Sequence, residues 1–186
     1  MDKNILKNLG PLASMAGIWE GSHGDDVAPS DDRGIAKNKY RERMTLEPIG
    51  PVTNHEQVLY GLKYFTTAWR IGEQSPYHED MGYWLWDVQT SQVIKCFVIP
   101  RGISIVAGGT VKLDAKSFTI SANEGSGTYG LCHNIFLEKE FKITGFDLTI
   151  NILGPNSFGY DQDTKIKING KLDIFHHRDK NTLNRI

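Results

Sequence analysis

The chain has 186 residues, 39% of them hydrophobic and 23% charged, and a formal net charge of -1. That suits one soluble domain, spanning 1–186, with a core of its own. It lacks the strong basic field of a nucleic-acid binder. The two cysteines, Cys96 and Cys132, make neither a disulfide framework nor a CxxC metal knuckle. They are read as reduced thiols of a cytoplasmic protein, with Cys96 as a small packed strand residue.

In chain order, residues 2–16 carry the one helical signal: Ile5, Leu6, Leu9, Leu12 and Met15 recur at helical spacing. Gly10 and Pro11 should split it into two short turns. Asn, Lys and Pro interrupt its apolar residues, so no secretory h-region forms. The segment is expected to cap one end of the strand-rich remainder of the chain. No later stretch approaches the ~20 apolar residues of a membrane helix.

From residue 17 onward the pattern is strands and turns. Residues 22–36 are rich in Gly, Pro and Asp and read as a solvated loop. Its acids Asp25, Asp26, Asp31 and Asp32 do not have EF-hand spacing. Strands are expected at 37–47, 55–66, 81–88, 92–100, 103–113, 117–123, 134–143, 146–153, 164–177 and 182–186. Residues 123–130 read as a second connection. Val58, Tyr60, Leu62 and Tyr64 share one face. Trp84 and Trp86 share another, with Tyr83 and Leu85 opposite, as an apolar exterior that could mark a homodimer face. Short joints such as GPN and ITGFD imply neighbouring antiparallel strands. About ten such strands remove their edges by closing. The expected fold is all-β: a closed antiparallel ten-stranded up-and-down barrel of the lipocalin or calycin kind, residues 17–186, with a helical lid at 1–16. Such a barrel can enclose a small ligand.

Four motifs in order carry a resemblance. They are Gly17-Ile18-Trp19-Glu20-Gly21; Pro76-Tyr77-His78-Glu79-Asp80-Met81-Gly82-Tyr83; Ile99-Pro100-Arg101-Gly102-Ile103 followed by Gly109-Thr110; and the tail from His177 to Arg185. Together they resemble the nitrobindin family, haem-binding β-barrels once described as fatty-acid-binding-protein-like. The resemblance implies a ferric haem b with a C-terminal His on the iron, nitrogen oxides as ligands, and isomerisation of peroxynitrite to nitrate. It puts Trp19 at the closed end and His78 on the distal side, with Tyr77 beside it in the motif. Asp80 stands where the family has Glu. The proximal ligand matches His177 best.

Residue chemistry leaves one alternative open. His176 and His177 point to opposite faces of a strand. Alternation in phase with Ile166, Ile168, Leu172 and Ile174 sends His176 inward, against the motif match, and a bulge would reconcile the two. Arg101 could pair with a haem propionate or a fatty-acid carboxylate. The ligand set is thus His177 (alternatively His176) for the metal and His78, Tyr77, Arg101 and Trp19 for the ligand. No GxSxG, HExxH, P-loop or GxGxxG element is present, so no residue is assigned as catalytic. The other reading is a non-enzymatic carrier of a fatty acid or other small apolar molecule.

Overall fold

The structure is a computed structural model and describes residues 3–186. Met1 and Asp2, at the start of the expected lid, lie outside the described residues. Ten strands close into one antiparallel barrel: β1 (Gly17–Pro29), β2 (Ile35–Asn54), β3 (Gln57–Arg70), β4 (His78–Asp87), β5 (Gln92–Ile99), β6 (Ile103–Thr110), β7 (Ser117–Asn123), β9 (Phe141–Gly154), β10 (Ser157–Ile168) and β11 (Ile174–Arg185). Each pairs with the next in this series, and β11 returns to β1. An eleventh, three-residue strand, β8 (Leu131–His133), lies on the first half of β6. The contact between β6 and β7 is narrowed to Gly108 opposite Ser121.

The lid consists of α1 (Lys3–Lys7) and a 3-10 turn over Gly10–Met15, split as Gly10 and Pro11 require. Gly10 has φ +55, and a side chain there would strike the Trp86 indole at 2.6 Å. Leu9, Leu12 and Met15 are fully buried. Trp19 starts β1 beneath them, and its Nε1–H donates to the Met15 carbonyl at 2.7 Å. The Trp19 ring meets Phe158 edge-on at 4.8 Å. The Arg185 guanidinium lies 4.2 Å over Trp19 and donates to the carbonyls of Ser14 and Ala16. The last strand thus clasps the lid over the closed end.

Alternation holds where strands are regular. Leu62, Tyr64, Trp84 and Trp86 point inward and are buried, and Tyr60 packs against the core. Val58 lies beyond the core and is 38% exposed. Phe65, Met81, Tyr83, Val98 and Val106 are exposed neighbours on the outer face of β3 to β6. Cys96 belongs to that outer face and is half-buried, so it is not a core residue. Gly82 lets β4 and β5 close up. A Cβ there would stand 2.0 Å from the Cys96 carbonyl oxygen and 2.7 Å from the Phe97 Cα. Gly82→Ala is therefore expected to lower stability by about 2 kcal/mol in urea unfolding, because backbone on both strands must part.

Several expected boundaries fail: the ITGFD joint lies inside β9 and residues 182–185 belong to β11. Residues 22–36 are not one loop: β1 runs on to Pro29 and β2 starts at Ile35, leaving a turn of five residues. A register shift between Gly21 and Gly24 restarts the pairing in β1. Residues 134–143 are not one strand. Asn134 caps a short helix, α2 (Ile135–Glu140), by accepting from the Leu137 amide at 3.0 Å, and β9 comes directly after it. Residues 164–177 are not continuous either. A turn over 169–173 separates β10 from β11.

Candidate functional site

The barrel encloses a cavity of about 500 Å³ that opens at the end opposite the lid. Met15 belongs to its floor, and Arg101, Phe136 and Tyr77 to its mouth. Its wall has two characters. On β5, β6 and β9 the lining is mostly apolar, with Phe97, Ile103, Ile105, Phe146 and Leu148. On β2, β4 and β11 it is mostly polar.

The 169–173 turn decides which His enters. It sets Thr164 opposite His177 and Ile166 opposite Phe175, so even positions facing in on β10 meet odd positions facing in on β11. A single strand through this region would have kept even positions inward. His177 therefore lines the cavity, while His176 is exposed and bonded through Nδ1 to Asp163 at 2.7 Å. The hairpin turn, not a bulge, reconciles alternation with the motif.

His177 does not stand alone. Its Nε2–H donates to Asp26 Oδ1 at 3.0 Å and lies 3.3 Å from Asp179 Oδ2. Asp26, in the segment read as a solvated loop, is 3% exposed. It is Asp179's cross-strand partner on β1. Burial disfavours the His177 imidazolium, but the bond to Asp26 and the charges of Asp179 and Asp26 outweigh it and raise its pKa. Burial pushes the Asp179 carboxyl up to about 6, with Asp26 adding to the effect and His177 opposing it.

Deeper lies a second polar group. The Tyr160 hydroxyl donates to Glu42 Oε1 at 2.9 Å, as does Asn181 Nδ2 at 2.8 Å, and Tyr40 Oη is 2.6 Å from Tyr160 Oη. Burial raises the Glu42 carboxyl to about 7, against the two bonds it accepts. Across the cavity, Lys95 forms an ion pair with Asp80 at 3.6 Å. The Lys95 ammonium lies 4.0 Å over Phe97 and 4.9 Å over Tyr64. Burial lowers its pKa, with Asp80 opposing.

Of the remaining expected residues, Tyr77 and His78 line the cavity where β4 begins. Burial lowers the His78 pKa. Arg101, in the exposed turn between β5 and β6, lines the mouth, and its guanidinium has no ion pair among the described residues. Trp19 does not line the cavity. It is buried at the closed end beneath the lid.

A family model described as THAP4-like, heme-binding beta-barrel domain matches residues 8–185. The chain belongs to this family. The THAP4-like match covers the 3-10 turn of the lid and every strand, so the four motifs mark a relationship running nearly the whole length of the chain. No curated protein matches. Among solved structures, the crystal structure of Rv2717c from M. tuberculosis is similar, with a TM-score of 0.68 and 20% identity over 98% of this chain and 97% of that one. That likeness bears on the fold. No helix among the described residues is long and apolar enough to cross a membrane.

Proposed function

We propose that this haem-binding barrel domain holds ferric haem b in the mouth half of its cavity, with His177 as the iron ligand. The observation that carries this reading is that His177, and not its neighbour His176, reaches the cavity from the last strand. The surroundings fit the group in part: an apolar wall on β5, β6 and β9, the His177 imidazole, and an unpaired cation, Arg101, at the rim for a propionate. His78 and Tyr77 complete the lining from β4. Bound haem would supply a ferric centre for nitric oxide binding and for isomerising peroxynitrite to nitrate. The Nε2 of His177 is already held by Asp26 and Asp179, so iron and the two carboxylates compete for one nitrogen.

Hemin titration followed in the Soret band tests this. Wild type and His176→Ala are expected to show saturable one-to-one binding, and His177→Ala to lose it. Asp26→Asn is expected to bind several-fold more tightly, because a weaker acceptor releases Nε2. No Soret shift in the wild type, or loss only in His176→Ala, would overturn the assignment.

The second reading, a carrier for a fatty acid or other amphipath, is favoured by buried polar groups, Lys95 and Asp80 among them, set beside an apolar wall in the interior. The free thiols Cys96 and Cys132 support a reducing, cytoplasmic setting. The apolar outer face of β3 to β6 supports pairing of two barrels.

A further inference from the structure

The cavity wall carries polar atoms that no protein group among the described residues satisfies. Among the described residues, Thr66 Oγ1, Asp80 Oδ1 and Trp84 Nε1 are buried without a partner. Their residues are 5%, 8% and 3% exposed, and all three line the cavity. They also stand together. Thr66 is the cross-strand partner of Asp80, and Trp84 of Lys95. The Asp80–Lys95 ion pair joins the two couples at 3.6 Å, beyond hydrogen-bond length. Among the described residues the Tyr64 hydroxyl donates to Asp80 Oδ2 at 3.1 Å, and no protein group bonds Oδ1.

The character of these atoms selects a ligand group. Trp84 Nε1–H and the Lys95 ammonium offer protons, Asp80 Oδ1 takes one, and Thr66 does either. A hydroxyl accepts from the first two and donates to the third. A carboxylate has no proton for Asp80 and meets its charge; an alkylammonium meets that of Lys95. The ion pair is already neutral, and burial keeps Glu42 uncharged below a pKa of about 7. The adjoining wall of β5, β6 and β9, with Phe97 and Phe146, suits an alkyl chain.

We propose that Thr66, Asp80, Trp84 and Lys95 form a subsite for the hydroxyl of an uncharged amphipath such as a long-chain alcohol, whose alkyl part lies against the apolar wall. The inference rests on the carrier reading and gives it a head-group specificity. These groups offer a ligand hydroxyl partners that a plain apolar pocket would not have.

Calorimetric titration of the purified, haem-free chain with 1-octanol, octanoate and octylamine tests it. Saturable one-to-one binding of 1-octanol is expected, roughly tenfold tighter than either charged probe. Thr66→Val and Trp84→Phe keep volume and ring, so both variants should fold. Each is expected to weaken 1-octanol about fivefold while leaving the melting temperature unchanged or higher. A merely structural role would lower the melting temperature and spare affinity. His177→Ala should bind 1-octanol like wild type while losing hemin, which separates this subsite from the haem reading. Octanoate binding tighter than 1-octanol would overturn the head-group assignment. Equal affinity in wild type and both variants would place the alcohol elsewhere and overturn the subsite with the carrier intact. Failure of all three probes would overturn both.

Discussion

Lys95→Met is expected to destabilise the barrel by about 3–5 kcal/mol, and most of that loss should return in Lys95→Met/Asp80→Asn. Lys95 is 5% exposed, and the carboxylate it pairs with, Asp80, is 8% exposed. Methionine fills the space of the lysine stem and lies well against the rings of Phe97 and Tyr64. Packing is therefore largely kept, and the cost comes from the carboxylate left behind in the interior. The second substitution removes that charge and keeps an oxygen for the Tyr64 hydroxyl to donate to. Urea unfolding of the two single variants and the double variant measures the coupling as a double-mutant cycle. A coupling near zero would mean that the rings and not Asp80 hold the ammonium. The subsite would then lose its electroneutral pair.

Lys95 also shows how much of this site the sequence could reveal. It stands in the run Val93, Lys95, Phe97, Ile99, where alternation puts it on the inner face of a strand otherwise apolar on that side. A lysine on such a face is a signal in its own right, although the run also reads simply as a strand with a small cysteine in it. The barrel itself was legible because ten stretches alternate and their joints are short. The lid was legible because Gly10 and Pro11 punctuate it. The 134–143 error came from apolar spacing that a strand and a short capped helix share; Asn134, an N-cap residue ahead of the run, was the helical signal. The segment around Asp26 misled for a different reason. Its composition is that of a loop, although residues 24–29 pair with 35–40 of β2 across a five-residue turn; what buries its carboxylate is β11, whose His177 lies 151 residues away. Such a partner has no local signature. The choice between His176 and His177 turned on a five-residue hairpin turn hidden in a run that also reads as one long strand, where a single change of parity reverses every side chain.

Glu42 should make the fold less stable as pH rises from acid to neutral. Burial raises its carboxyl from 4.5 to about 7. Below both values the group is protonated whether the chain is folded or not, and it costs nothing. Between them the unfolded chain releases its proton while the folded one keeps it, so stability falls with rising pH. Above about pH 7 the folded barrel holds a carboxylate in its interior. At 1.36 kcal/mol per unit, the full loss is about 3 kcal/mol. Glu42→Gln is the matched control: Tyr160 and Asn181 both bond the same oxygen, Oε1, which a carboxamide oxygen replaces, and the amide nitrogen takes the place of the protonated Oε2. Urea unfolding should find the variant about 3 kcal/mol more stable than wild type near pH 8 and about equal to it near pH 4. Taking the difference between the two proteins cancels, to first order, groups such as Asp179 that titrate in the same range. A difference independent of pH would show that Glu42 ionises inside the barrel at its ordinary value. In that case the interior would carry an extra negative charge at neutral pH, and a carboxylate ligand would be disfavoured there still more strongly than Asp80 alone makes it.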